Sequence, residues 1–345
     1  MERRQAAKDA VVAVKRQPKG RARGADQVRR DRDSIIEQDG RWTAHDIELA
    51  PGVMTLGAEV PDYRLRRIVQ TAADISGKPL NELRVLDLAC LEGQFGIEFA
   101  AHGADVVAIE GRDVNLRKTR FAVESRGLAN LDIRKADVRD LNAADFGTFD
   151  VVLCLGLLYH LDSPEVMELV SAIAEVCTGL AIFDTHLSQW PRAWAEWNGN
   201  RYRGEYWREY SPGTRLTKES RSLWSSIGNE RSFLFTKASL TNLLRHTGFT
   251  SVYESLNPYE CHSEDWPLPP RNGQWAEWQD RSTFIAVKGE RQPILTSPLT
   301  HSAEERDRAE RPRKLRTIPL ALACRVESAM HVASRVARWL RRRPS

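Results

Sequence analysis

The chain has 345 residues, with 51 Lys and Arg against 47 Asp and Glu, five cysteines and a mean hydropathy of −0.47. That length accommodates one body of roughly 200–250 residues plus appendages. No apolar run reaches the ~18 residues that a membrane-spanning helix requires. Charge is unevenly spread. Residues 1–40 hold 11 basic against 7 acidic side chains and residues 301–345 hold 12 against 5, leaving 28 against 35 between them. An acidic body therefore carries two basic ends, a pattern that suits RNA phosphates or an anionic membrane surface as readily as solvated tails. The N-terminal twenty residues lack the apolar stretch of a secretory signal. The cysteines (Cys90, Cys154, Cys177, Cys261, Cys324) show no paired or metal-ligand spacing. Reduced thiols, no metal site and a cytoplasmic protein, peripheral to a membrane if its basic ends bind lipid, are the expectation.

Residues 1–40 are expected to form a basic, disordered tail or at most a frayed helix. An irregular segment from Trp42 to Gly57 precedes a helix near residues 61–76, with Tyr63, Ile68 and Ala72 on its apolar face. A β/α alternation follows. Strands are predicted at 84–90, 105–110, 131–135, 149–155 and 180–184. Helices are predicted at 94–102, from Asp113 to a stop at Gly127, and from Ser163 to Cys177, with Ser163 as N-cap and Pro164 in the first helical position. The alternation breaks over 187–233, where Trp190, Trp194, Trp197, Tyr202, Tyr206, Trp207, Tyr210 and Trp224 gather among arginines. It resumes with a helix at 237–247 and strands at 251–255 and 282–288.

The expected fold class is α/β: a Rossmann-like, doubly wound, mostly parallel sheet of seven strands. Its last strand is antiparallel, and an aromatic-rich insertion and a C-terminal helix are added. The body is assigned to 41–290, with 187–233 as an insertion that either covers a substrate or forms an accessory subdomain. A linker spans 291–317, and a basic amphipathic helix spans 318–345.

The first strand runs into Asp87-Leu88-Ala89-Cys90-Leu91-Glu92-Gly93-Gln94-Phe95-Gly96. Backbone amides at such a strand-to-helix turn face the edge where open α/β sheets bind ligands. The second strand ends in Glu110, about twenty residues on, placed to accept from ribose hydroxyls. Asp137-Val138 follows the third strand. Leu155-Gly156 ends the fourth and leads into Tyr159-His160. Singly, Glu110 reads equally as a helix cap and Asp137 as a turn residue; together, each at a strand end, they make a nucleoside site.

Residues 84–186 resemble class I S-adenosylmethionine-dependent methyltransferases. The resemblance implies that Asp87, Ala89, Cys90, Leu91, Gly93, Glu110, Asp137, Val138, Leu155 and Gly156 hold S-adenosyl-L-methionine. A narrower stretch, Leu155 to Pro164, is similar to the enzymes that modify the wobble uridine of tRNA by carboxymethyl transfer. Those enzymes use a basic residue before the first strand, where this chain has the acidic His45-Asp46-Ile47-Glu48-Leu49. Ordinary S-adenosylmethionine is therefore expected. The family's three glycines are reduced to Gly93, with Ala89 and Leu91 in the other two places. Leu91 is expected either to keep a negative φ or to be strained, and so to shift the loop's path slightly. A nicotinamide dehydrogenase would want G-x-G-x-x-G for a pyrophosphate, so the missing glycines count more against that fold relative.

Methyl transfer from a sulfonium needs alignment and dryness above all, and an oxygen or nitrogen nucleophile can need a base. His160 and His186 are the candidates, with Tyr159 to orient; packing residues are the alternative for each. The expected activity is methyl transfer to O or N of an acceptor the sequence does not identify: a small molecule, a sugar or a lipid-linked glycan. A tRNA wobble-uridine enzyme and a non-catalytic protein of the same fold are the two alternatives.

Overall fold

The computed structural model describes residues 24–57, 63–211, 213, 222–223, 225–255 and 281–296. The chain divides into two compact units, Met1–Glu290 and Arg291–Ser345; of the second, the described residues 291–296 form no helix or strand. The expected C-terminal helix, most of the linker, residues 1–23 and the connection 256–280 lie outside the described residues, as do Cys261, Cys324 and Trp224.

In chain order the elements are α1 (Ala25–Asp39), β1 (Glu48–Ala50), β2 (Val53–Met54), α2 (Tyr63–Ile75), β3 (Arg84–Leu88), α3 (Gln94–Ala101), β4 (Asp105–Glu110), α4 (Asp113–Arg126), β5 (Leu131–Lys135), α5 (Ala143–Phe146), β6 (Phe149–Leu155), α6 (Glu165–Val176), β7 (Cys177–His186), β8 (Ala193–Trp197), β9 (Asn200–Arg208), β10 (Arg231–Phe235), α7 (Lys237–His246), β11 (Ser251–Ser255) and β12 (Arg281–Val287). The main sheet has seven strands in the order β11-β12-β7-β6-β3-β4-β5. Strands β3 to β7 are parallel, and β12 runs antiparallel between β7 and β11.

Both faces of this sheet are covered, which is why its strands read as continuous apolar runs. Alternate residues serve opposite cores. Leu86, Leu88, Val107, Ile109, Val152 and Phe183 pack towards α6, α7 and the inserted strands. Val85, Val106, Ala108, Val151, Leu153 and Ile182 pack with Ile68 and Val69 of α2 and with residues of α1, α3 and α4. Each such fully buried aliphatic side chain contributes roughly 1.5–3 kcal/mol. Gly127 stops α4 in the left-handed region (φ 66°), as its position suggested.

The structure corrects three expectations and gives the 187–233 insertion its form. Residues 25–39 are not a disordered tail but α1. Val28 is fully buried, Arg117 of α4 donates to both oxygens of Asp39, and Arg32 donates to the Met54 carbonyl at 2.9 Å. The 42–57 segment contains an antiparallel pair, β1–β2. Helix α6 begins at Glu165, so Pro164 occupies the cap position and Ser163 caps nothing. The break in alternation after β7 is a three-stranded antiparallel sheet, β10-β9-β8. Its inner face carries Ala195, Tyr202, Phe233 and Phe235 into the core, while Trp190, Trp194 and Trp207 stay exposed. The tryptophan-rich composition hid this two-sided pattern. Among the described residues no helix is long and apolar enough to cross a membrane.

Candidate active site

Strand β3 lies between β4 and β6, so the connections leaving it and β6 diverge to opposite faces and open a crevice beyond Leu88 and Leu155. The loop at this crevice follows an unusual path. Ala89 (φ 50°), Leu91 (φ 53°) and Gly93 (φ 84°) all adopt left-handed backbone. Of the two alternatives for Leu91, negative φ or strain, the structure shows strain: leucine takes the conformation a glycine would, at a cost of roughly 1–2 kcal/mol. Tertiary bonds hold it there. The Leu91 amide donates to Glu110 Oε2 at 3.0 Å, and Thr119 Oγ1 donates to the Leu91 carbonyl at 3.1 Å.

The next residue, Glu92, is fully buried. Its Oε1 accepts from the Thr43 amide (2.7 Å) and from Lys118 Nζ (3.3 Å), and its Oε2 from the amides of Ala44 and His45. Lys118, buried on α4, also donates to the Arg41 carbonyl at 2.6 Å. At Gly93 no side chain fits: a Cβ would stand 2.5 Å from Thr119 Cγ2.

Asp87 lies beneath the loop and accepts from the Gly96 amide at 2.9 Å. Burial pushes its carboxyl up to about 7, against the Gly96 bond and with help from nearby Glu110. Burial likewise raises the Cys90 thiol, which leaves it protonated and a packing residue of the crevice floor. Glu110 is 5% exposed. Burial raises its pKa while the amides of Arg112 (2.8 Å to Oε1) and Leu91 oppose the rise. A carboxylate oxygen accepts more than one bond, so both retain acceptor capacity towards the crevice.

Asp137 caps the turn Val138–Asp140 and is gripped by Arg139, whose Nη2 donates at 2.6 Å. Burial raises its carboxyl, but the Arg139 bonds and charge outweigh this and hold it low. Val138 packs against the core beside it. At the end of β6, Gly156 (φ 83°) donates its amide to the Asp184 carbonyl, and a Cβ there would lie 3.3 Å from Tyr159 Oη.

Tyr159, His160 and His186 do converge. The Tyr159 ring centroid is 4.3 Å from that of His160 and 4.6 Å from that of His186. His160 Nδ1 lies 2.8 Å from Glu209 Oε1. Arg281 Nη1 lies 3.3 Å from His186 Nε2.

Several site residues escaped the sequence reading. Asp184, at the end of β7, accepts from Arg64 (3.0 Å), Arg281 Nε (2.7 Å) and Thr283 (2.9 Å). Burial raises its pKa, but the two guanidinium groups outweigh that and hold it down. The segment before β3 thus brings a cation to the site after all, in Arg64 of α2, 5.1 Å above the Phe95 ring. The signal that picked Glu110, a lone acid closing an apolar strand, also marks Asp184. Glu209 carried no local signal. Nor did Ser225–Asn229, which crosses three strand ends: Arg112 after β4 donates to the Ser225 carbonyl (2.7 Å), Arg139 after β5 to that of Ile227 (3.4 Å), and Asn229 to that of His160 (2.8 Å).

Comparison with known proteins bears on this geometry. A family described as a methyltransferase domain matches residues 85–179, from β3 into β7. Residues 85–179 thus form a methyltransferase domain of the S-adenosylmethionine-dependent type. Similar curated proteins include the ubiquinone biosynthesis O-methyltransferase of Bordetella pertussis. It is 32% identical over 141 residues, covering 41% of this chain and 52% of that protein. The protein of the same name from Acinetobacter baylyi is 29% identical over 106 residues, 31% of this chain and 42% of that one. The chain thus matches about half the length of these relatives. The N-terminal domain of EvdMO1, solved with SAH and D-fucose, has the same fold. Its TM-score is 0.55 at 23% identity, over 78% of this chain and all of that domain. Strands β11 and β12, outside the matched residues, complete the seven-stranded sheet.

Proposed function

We propose that the protein binds S-adenosyl-L-methionine in the β3–β4–β5 crevice and transfers its methyl group to a hydroxyl of a small-molecule acceptor, with His160 as general base. The observation that carries this reading is the placement of His160, with Tyr159 and His186, at the β6 end beside the loop that Glu110 and Leu91 close.

The residues fit the cofactor. Glu110 offers two acceptor oxygens for the ribose hydroxyls. Ala89, Leu91 and Gly93 turn the backbone so that it approaches a ligand closely, without the phosphate cradle of a dinucleotide site. Asp137 and Val138 supply an acceptor and an apolar edge for adenine, and Leu155 and Gly156 form the opposite wall. Arg64 Nε is buried without a partner among the described residues and suits a carboxylate. When bound, the cofactor supplies a methyl group on a sulfonium, an excellent leaving group. The protein therefore has to align the acceptor, exclude water and take up one proton. His160 is half-buried, and its Nε2 has no hydrogen-bond partner among the described residues. That nitrogen is the one positioned to receive the proton.

The curated relatives named above are O-methyltransferases by name, which supports oxygen as the acceptor atom. A phenol or a sugar hydroxyl fits an edge lined by Tyr159, His186 and Arg281. The test uses S-adenosylmethionine with a tritiated methyl group, offered with catechol, with D-fucose and with a cell extract. Incorporation that disappears in His160→Ala, while calorimetric cofactor affinity persists, is the expected result. Undiminished incorporation in that variant, or no cofactor binding by the wild type, overturns the reading.

A further inference from the structure

The inserted sheet reaches the His160 side chain through Glu209. Glu209, the residue after β9, places Oε1 2.8 Å from Nδ1 of His160. Its other oxygen accepts from the Ser226 amide at 3.2 Å, and its own amide donates to the Glu230 carbonyl at 2.9 Å. The histidine's turn is held from the same side. Asn229 donates to the His160 carbonyl at 2.8 Å, the Phe233 amide to the Leu161 carbonyl at 2.9 Å, and Arg231 to Asp162 at 2.9 Å. Both partners of the contact are thus fixed by independent bonds, and the pair is largely shielded: the side chains are 22% and 10% exposed.

We propose that Glu209 is the positioning residue for His160, so that the insertion completes the general base rather than only covering the site. This rests on the reading of His160 as base. A carboxylate can only accept, so the neutral imidazole must carry its hydrogen on Nδ1 and expose its lone pair at Nε2. Nε2 is the nitrogen left without a partner among the described residues. In the transfer step the acceptor O–H bond breaks and its proton goes to the Nε2 lone pair. The oxygen forms the new bond to the methyl carbon, and the carbon–sulfur bond breaks with its electron pair going to sulfur. His160 becomes a cation hydrogen-bonded to an anion and later returns the proton to water. Glu209 is suited to that state. Burial raises its carboxyl, but the His160 and Ser226 bonds outweigh burial and keep it ionised. The same segment touches Arg112 beside Glu110, so the end that would hold ribose and the end that holds the base share one strap, Ser225–Asn229.

The test reads the tautomer of His160 by nitrogen-15 NMR of the full chain at mildly alkaline pH, with and without S-adenosylmethionine. Wild type should show a protonated Nδ1. Glu209→Leu should shift His160 towards the Nε2-protonated form that free imidazoles favour, with calorimetric S-adenosylmethionine affinity kept within about threefold. Glu209→Gln still offers an acceptor oxygen and should keep the wild-type tautomer, which guards against a leucine variant that misfolds. Tritium transfer into a cell extract should fall roughly 10- to 100-fold in Glu209→Leu, part of the ~10²–10⁴ a positioned base contributes, and less in Glu209→Gln. An unchanged tautomer in a folded Glu209→Leu protein overturns the proposal. A tautomer that switches in a protein whose wild type transfers no methyl group upholds the pairing and overturns the catalytic reading instead.

Discussion

The amide of Leu91 donates to Oε2 of Glu110 at 3.0 Å, joining the loop after β3 to the last residue of β4. One carboxylate thereby does two jobs: it holds a leucine in left-handed backbone and presents its remaining lone pairs to the crevice. On the proposed reading of Glu110 as the ribose ligand, loop shape and cofactor binding share this one carboxylate, unlike in a loop whose glycines need no such support.

Glu110→Ala should therefore lose more than two ribose bonds. Cofactor affinity is expected to fall by at least about a hundredfold, the equivalent of roughly 3 kcal/mol for charge-assisted bonds left unmade. Amide exchange at Leu91 and Gly93 should accelerate at the same time. Calorimetry with S-adenosylmethionine, paired with hydrogen exchange of the cofactor-free chain, checks both. Weakened binding with an unaltered loop would show that the two jobs are separable.

Glu92 and Lys118 form a fully buried ion pair that ties the loop to residues 41–45 and to α4. Glu92→Gln leaves the ammonium of Lys118 without its counter-ion and should destabilise the chain by about 3–5 kcal/mol. Replacing both, as Glu92→Gln with Lys118→Met, should cost less than the sum of the single changes. Urea unfolding of the four proteins measures the coupling; additive costs would contradict it.

Stability should depend on pH through two opposing groups. Asp87 sits at about 7 when folded against 3.8 otherwise, so the folded state binds the extra proton and stability falls as pH rises from about 4 to about 7. His45, whose Nδ1 accepts from the Gln94 amide, is pushed down to about 3 by burial and by Arg64. There the unfolded state binds the extra proton, and stability rises with pH up to about 6.5. Asp87→Asn removes the first effect alone. Its advantage over wild type should widen by roughly 3 kcal/mol between about pH 5 and about pH 8 in the cofactor-free protein. Denaturation at the two pH values checks it, and a constant gap would mean that Asp87 is ionised throughout.

What the sequence determined by itself is the sheet and its ligand edge. Strands at 105–110, 131–135, 149–155 and 251–255 have the boundaries read from apolar runs between turn residues, because burial on both faces and local caps are encoded within a few positions of each other. Glu110, Asp137, Gly156 and His160 were singled out for the same reason: each lies at or shortly after the C-terminal end of a strand. Only the tertiary structure decided the rest, because it depends on partners far apart in the chain. Leu91 was expected either to avoid a glycine's conformation or to be strained in it, and nothing near it in sequence decides between the two. Glu110 and Thr119 hold it there across 19 and 28 positions. Arg64 meets Asp184 across 120 positions and His160 meets Glu209 across 49. Local propensity carries no information about pairs at those separations. The folded sheet, with the inserted strands packed into the core on its α6–α7 side, brings them within hydrogen-bonding distance.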